Sequence, residues 1–362
     1  MVGNNPWDSF LGTEGSKASN GTNVSNKADL PSATPVNTSE DSSAVKEQFE
    51  NDPVFIREDF KNKYVYDPSI LILSASLIRQ LSTRWDNLKP CPQRIFRQYI
   101  IKDSKTKPTE PMVNGSYFET MGLGSGIRGQ MTLNLPTTLK GKKTAANLKI
   151  DIQVLRFKAF LKENGIKIIT NFNTQIKIYK KYKEHIYISG EIDVFPFSLD
   201  GQLYMADLKL TGNVDSTFGY APWGDPSMLD FIQPDIYLNL VKDIDFKLND
   251  HFNPGNHLRD IVETIKEPLD AGACGFVYWV YGYSCKNEEM ALSQQVKTNI
   301  ERELTDQKQI ELKERIDSAI NDLKHMRDSE WPTKPDNKEC KNCSLNITNG
   351  GTCKEGSESL VY

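Results

Sequence analysis

The chain has 362 residues, and no stretch of it approaches the ~18 consecutive apolar residues that a membrane span needs. No membrane association is expected. The opening MVGNNPWDSF lacks the basic and apolar regions of a secretory signal, which points to a cytoplasmic protein. In that compartment its six cysteines are expected to be thiols or metal ligands rather than disulfides. No G-x-x-x-x-G-K-[ST] loop is present, so a nucleotide-driven motor would have to be a partner. Only four histidines are available for imidazole chemistry. Neither sign of charge dominates: 44 Lys and Arg against 48 Asp and Glu leave a formal net of −4. This argues against a strongly basic polyanion binder, although a basic face opposite an acidic one stays open. The rest is an ordinary soluble mix, long enough for one large domain or two, with no internal repeat.

Residues 1–52 read as a disordered polar arm. From Thr13 to Ser43, 17 of 31 residues are Ser, Thr, Asn or Gly, and few apolar groups offset the ordering entropy. Residues 53–362 are expected to form the folded domain. The segment 69–88 leads into a helix, and 91–101 has apolar residues at helical spacing. KPTEPMVNG (107–115) reads as a loop, and the glycines after it should cut short a helix in SYFETMGLG. An amphipathic stretch follows over 150–164. Strands then run from 166 to 197, with a turn at SLDGQ and a returning strand LYMADLKL. Residues 228–241 are helical with Pro234 near the start, GFVYWVYGY (275–283) is a buried strand, and 286–328 form a long charged helix or helix pair.

The hairpin GEIDVFPFSLDGQLYMADLKLTG (190–212) concentrates the chemistry. Alternation puts Ile192 and Val194 on one face and Glu191 and Asp193 on the other. On the return strand Ala206 and Leu208 oppose Asp207 and Lys209. A turn centred on Asp200 sets Asp193 against Asp207 and Glu191 against Lys209. A two-residue turn at Asp200-Gly201 shifts that register by one, and a bulge or three-residue loop restores it. Two carboxylates facing one another repel unless neutralised, and a hard divalent cation with oxygen ligands, Mg²⁺ or Mn²⁺, does this. Lys209 shares the face, where an ammonium can hold a water or stabilise phosphate charge. Glu119, four residues after Gly115, adds a carboxylate. Gln233 and Tyr237, at i and i+4, share one helix face and can contact phosphate or base.

Taken in order, Gly115…Glu119, Gly190-Glu-Ile-Asp193, Asp207-Leu-Lys209 and Gln233…Tyr237 resemble the motifs of the PD-(D/E)XK nuclease superfamily, in its RecB-like exonuclease branch. The likeness covers roughly residues 75–355. Two departures are Glu119, where many members of the branch have His, and a return strand without the Pro of the superfamily's name. The resemblance implies an α/β fold, a restriction-endonuclease-like αβββαβ core with flanking helices. Glu119, Asp193 and Asp207 would bind the metal, with the Leu208 carbonyl as a fourth ligand. Lys209 would position the attacking water. The reaction would be phosphodiester hydrolysis leaving a 5′-phosphate and a 3′-hydroxyl.

Cys340-x-x-Cys343 is a chelating spacing, Cys353 follows, and Cys91 is the best candidate for a fourth ligand. In AddB-type and CRISPR-associated adaptation nucleases a similar set, one Cys before the core and three after it, holds a [4Fe–4S] cluster as a staple. The nine residues between Cys343 and Cys353 exceed the usual spacing, and Zn²⁺ or no metal at all are the alternatives. Cys274 and Cys285 read as core residues.

The segment from Lys140 to Lys183 has 12 basic and 2 acidic residues and suits DNA beside a cation site. Tyr179, Tyr182, Tyr220 and Trp223 are candidates for stacking on bases. The leading expectation is an exonuclease acting on single-stranded or resected DNA ends in recombination, repair or replication, working beside a helicase or recombination partner. The alternatives are a structure-specific or restriction-like endonuclease and a non-catalytic DNA-binding assembly protein. Lys-, Asn- and Ile-rich usage suits an AT-rich genome, so the expected setting is a bacterial cytoplasm or a phage-infected host.

Overall fold

The computed structural model describes residues 71–82, 90–100, 109–124, 143–170, 172–212, 214, 223, 229–270, 273–283, 289, 297–333, 340, 343, 345 and 353. The polar arm expected over 1–52 lies outside them, as do Tyr220 and Cys285. The architecture is mixed α/β, with a six-stranded mixed sheet between helices.

Strand β1 (Leu71–Ser74) passes directly into α1 (Ala75–Leu81), whose first turn is capped by Ser74 accepting from Leu77 N. Next come α2 (Pro92–Ile95), continued by a π turn at Phe96–Ile100, then α3 (Glu110–Leu123) and α4 (Ala145–Glu163). The expected loop at 107–115 is corrected. The helix begins at Glu110, because Pro111 falls in the first turn, where its missing N–H costs nothing. Strands β2 (Thr174–Lys183), β3 (Ile186–Leu199) and β4 (Gln202–Thr211) form the meander. Four helices follow: α5 (Ile232–Val241), α6 (Phe246–Phe252), α7 (Leu258–Thr264) and α8 (Lys266–Asp270). They carry the chain across to β5 (Cys274–Gly282), which lies parallel to β4 and so requires a crossover. Strand β6 (Lys297–Arg302) and helix α9 (Asp306–Asp328) occupy the stretch expected to be one long helix or a helix pair.

The β3–β4 turn resolves the register. Asp200 and Gly201 both have positive φ, 50° and 78°, as a two-residue hairpin turn of this hand needs. Leu199, Ser198 and Phe197 pair with Gln202, Leu203 and Tyr204. A bulge then restores the earlier register, so that Val194 faces Ala206. Beyond Ala206, β4 stays with β5 as far as Thr211 and has no further pairs with β3. On the same edge of β3, β1 pairs only from Ile186 to Ser189. Gly190–Asp193 therefore lie between the end of β1 and the departure of β4, and the sheet opens into a cleft there.

Two cores cover the two faces. Tyr117, Phe118, Phe157, Trp279 and Tyr281 fill the side under α3 and α4. Aliphatic residues of α1, α5 and α9 fill the other side. Central strand β5 alternates between them, Phe276, Tyr278 and Val280 one way and Val277, Trp279 and Tyr281 the other. Ile192 and Val194 do not share a face as expected: Ile192 joins the α5 side and Val194 the α4 side. The irregularity sits at Asp193, opposite Gln175, whose φ of 49° interrupts the alternation of β2.

Candidate functional site

The cleft, of about 330 Å³, is lined by Glu119 from α3, Asp193 from β3, Asp207, Leu208 and Lys209 from β4, and Gln233 and Tyr237 from α5. Ser74–Ser76 at the β1–α1 junction, Ser189–Glu191 and Lys177 complete it. The residues singled out in four separate sequence segments thus come together at the fork in the sheet.

The fork dictates the contacts. Asp193 Oδ2 accepts from Leu208 N at 2.7 Å, so the carboxylate replaces a ladder partner that β4 lost on leaving β3. Asp207 Oδ1 accepts from Gln233 Nε2 at 3.1 Å, and Oδ2 is ion-paired with Lys209. Gln233 Nε2 also reaches the Tyr237 hydroxyl at 2.7 Å. Glu119 Oε1 accepts from Gln175 Nε2 at 2.7 Å. Gly190 makes room for α5: a Cβ there would lie 2.7 Å from the Tyr237 ring and from Leu240. No such crowding surrounds Gly115, so packing does not demand a glycine at that position.

The charges do not balance. Asp193 and Asp207 are both buried. Burial lifts the Asp193 pKa well above the usual carboxylate range, and the charges of Asp207 and Glu119 lift it further. Lys209 and the Leu208 N–H oppose this without cancelling it. Burial pulls on Lys209 in the opposite sense, but Asp207 and Asp193 outweigh it and hold the ammonium above its ordinary pKa. Tyr237 is pushed up by burial and then by the same two aspartates, so its phenol stays protonated. Among the described residues, which include Cys91, Cys340, Cys343 and Cys353, no group of three or more Cys, His, Asp or Glu side chains is placed to hold a metal ion. In the cleft, Lys209 and Gln175 stand at two of the carboxylates.

Several structural parts of this region escaped the sequence reading. Asp235, on the side of α5 away from Gln233, receives Arg302 of β6 through two bonds of 2.7 Å each. Asp230, just before α5, receives Arg315 of α9 at 2.6 and 2.8 Å, and Arg315 also donates to Ser82 O. These two forks fix the helix that presents Gln233. Neither has a local signature, because the partners lie 67 and 85 residues apart.

The Lys-rich segment is partly committed within the fold. Lys180 donates to Asn239 O and Lys242 O at the end of α5, Lys183 pairs with Asp317, and Lys143 pairs with Asp151. Lys177 remains exposed on the cleft wall. The aromatic candidates also turn inward. Tyr179 stacks on Phe252 at 4.9 Å, Tyr182 donates to Asp317, and Trp223 meets Tyr278 edge-on at 5.1 Å. His185 sits in the β2–β3 turn.

Cys91 precedes α2 and is half-buried, as are Cys340, Cys343 and Cys353. Cys343 N donates to Cys340 O at 3.2 Å, a tight turn, and Cys353 N returns to Leu345 O at 2.7 Å. Phe96, just after Cys91, stacks on Trp331 at 4.8 Å. Cys274 lies at the start of β5, where burial pushes its thiol pKa up to about 12.

No family model matches the chain, and no curated protein matches it. Among solved structures, one described as "Putative exonuclease" from Eubacterium rectale is similar at 14% identity. It covers 85% of this chain and 94% of that one, with a TM-score of 0.46. The structure of SSO0001 is similar at 13% identity over 81% of this chain and 90% of that one, with a TM-score of 0.31. At these values neither likeness decides the chemistry. No helix among the described residues is long and apolar enough to cross a membrane.

Proposed function

We propose that the cleft is the active site of a metal-dependent DNA exonuclease that hydrolyses phosphodiesters at single-stranded or resected ends. One observation carries the reading. At the fork of β3 and β4 the buried Asp193 stands beside Asp207 and Glu119, and Lys209, already paired with Asp207, opposes their effect on it without cancelling it. Such a cluster is costly to keep unless a cation completes it.

The donor set fits a hard divalent ion: Glu119, Asp193, Asp207 and the Leu208 carbonyl are all oxygens, as Mg²⁺ and Mn²⁺ require. The ion, when bound, supplies charge stabilisation on the phosphate and a more acidic water. The protein's own share follows from the contacts. Asp193 is aligned by the Leu208 N–H and Asp207 by Gln233. Lys209, beside Asp207, would hold the attacking water or the developing phosphate charge. Gln233 is held by the Tyr237 phenol and presents an amide to the substrate. Lys177 on the rim draws in the phosphodiester backbone.

The cysteines suit a second, structural group. Cys340 and Cys343 share a tight turn, and the Phe96–Trp331 stack ties the neighbourhood of Cys91 to the segment leading to them. We assign them, with Cys353, to a [4Fe–4S] cluster or a Zn²⁺ ion acting as a staple. Elemental analysis and absorbance near 400 nm distinguish the two, and a metal-free, colourless full-length protein overturns both.

The activity test compares linear and closed circular DNA with Mg²⁺ or Mn²⁺, with and without a chelator. The expected result is digestion of linear DNA, survival of closed circles and arrest by chelation. Cleavage of closed circles replaces the exonuclease with an endonuclease on the same site. Digestion that persists in chelator contradicts the metal role.

A further inference from the structure

A second cavity, of about 260 Å³, adjoins the cleft. Lys177 lines both, and Gln175, which lines the second, donates to Glu119 of the first. The two spaces therefore meet across β2. The far wall of the second is the loop that leads into α7. Asn256 shapes that loop by donating to Asn253 O at 2.7 Å and accepting from Leu258 N at 2.9 Å, and Gly255 supplies the turn with a φ of 76°.

Two rings border this cavity. Phe172 and His257 have centroids 5.5 Å apart at an interplanar angle of 41°. The His257 side chain is 52% exposed and lies 3.8 Å from Asp260, so its ring faces solvent while Phe172 packs behind it against the core. Side chains of this kind next to an exposed lysine suit a nucleotide: rings for the base and a cation for the phosphate. An apolar ligand would not suit the asparagine-lined wall, and a paired base would not present its face.

We propose that this second cavity holds an unpaired base next to the scissile phosphate, stacked on the exposed His257 ring that Phe172 supports, with Lys177 on the intervening phosphate. The proposal rests on the nuclease reading and deepens it. It gives a physical origin for a single-strand requirement, since a base must leave its duplex partner to enter.

The test measures binding rather than cleavage. The full chain is titrated in Ca²⁺ with a short fluorescein-labelled oligothymidylate and with the same sugar-phosphate backbone lacking its bases. The parent should bind the thymidylate about tenfold tighter, the scale of one stacked base. His257→Ala and the more conservative Phe172→Leu should erase most of that preference and leave the abasic affinity unchanged. Lys177→Gln should weaken both ligands equally and flatten the salt dependence by about one counterion. A parent without preference for bases overturns the proposal, as do variants that keep the preference or lose both ligands together. Failure of the nuclease reading shows separately. A parent that cuts no DNA yet keeps a His257-dependent preference for bases refutes the hydrolase alone. A parent that cuts DNA with a preference indifferent to His257 refutes the subsite alone.

Discussion

Asp235 of α5 and Asp193 of β3 are both buried aspartates, and their surroundings differ. Asp235 receives both arms of the Arg302 guanidinium, a geometry that satisfies its charge and fixes α5 against β6. Asp193 receives one backbone N–H from Leu208, and its nearest charges include two further carboxylates. The clamp pairs its charges one to one, whereas the cleft sets three carboxylates around Lys209. The same helix thus has a satisfied ion pair on one side and a buried carboxylate among like charges on the other.

Substitutions should separate the two regions. The largest effect is on activity. Asp193→Asn should lower cleavage of linear DNA by about 10³-fold or more, on the scale of losing a main electrostatic group. Arg302→Ala should cost much less, because it touches Gln233 only through α5. Stability should show the reverse order. Arg302→Ala leaves Asp235 buried without its partner and should cost about 3 kcal/mol in urea unfolding. Asp193→Asn keeps an acceptor for Leu208 N and removes a buried charge, so it should leave stability unchanged or raise it. Equal destabilisation by both would erase the distinction.

Metal should act on only one region. Mg²⁺ at a hundred times its dissociation constant should stabilise the parent by about 2.7 kcal/mol and Asp193→Asn by much less, read as a shift in Tm. Gly190→Ala should follow at about 1–3 kcal/mol, since its Cβ meets Tyr237 and Leu240. A silent Gly190→Ala would show that α5 is not pressed against β3.

The smallest effect is a pH slope. Burial, Asp207 and Glu119 raise the Asp193 pKa in the folded state. Its stabilising contribution is therefore present below the unfolded carboxylate pKa and is lost as pH rises through the folded one. The metal-free parent should lose Tm over that window, and Asp193→Asn should flatten the slope. An identical slope in both would assign the pH dependence to other groups.

Much of the cleft was legible in the sequence because its parts are local. Asp207-Leu-Lys209 needs only strand alternation, Gln233 and Tyr237 need only helical spacing, and the Asp200-Gly201 turn carries its own signature. The sequence left a bulge and a three-residue loop as equal ways to restore the register, and it carried no sign of the turning over of β3 that separates Ile192 from Val194. The Arg302 and Arg315 clamps and the Phe172–His257 pair depend on residues far apart in the chain. Composition misled at the Lys-rich segment, where Lys180 and Lys183 hold backbone carbonyls and Asp317, and at residues 297–302, where charged residues form an edge strand.

One assay addresses the fork of β3 and β4 as a hydrolytic site directly. The parent, Asp207→Ala and Lys209→Ala are compared on end-labelled single-stranded and double-stranded DNA with Mg²⁺ or Mn²⁺. The parent should cleave, and both variants should lose cleavage while their folds persist by circular dichroism. Undiminished cleavage in both variants, or none by the parent on either DNA, would contradict the hydrolytic role of the fork.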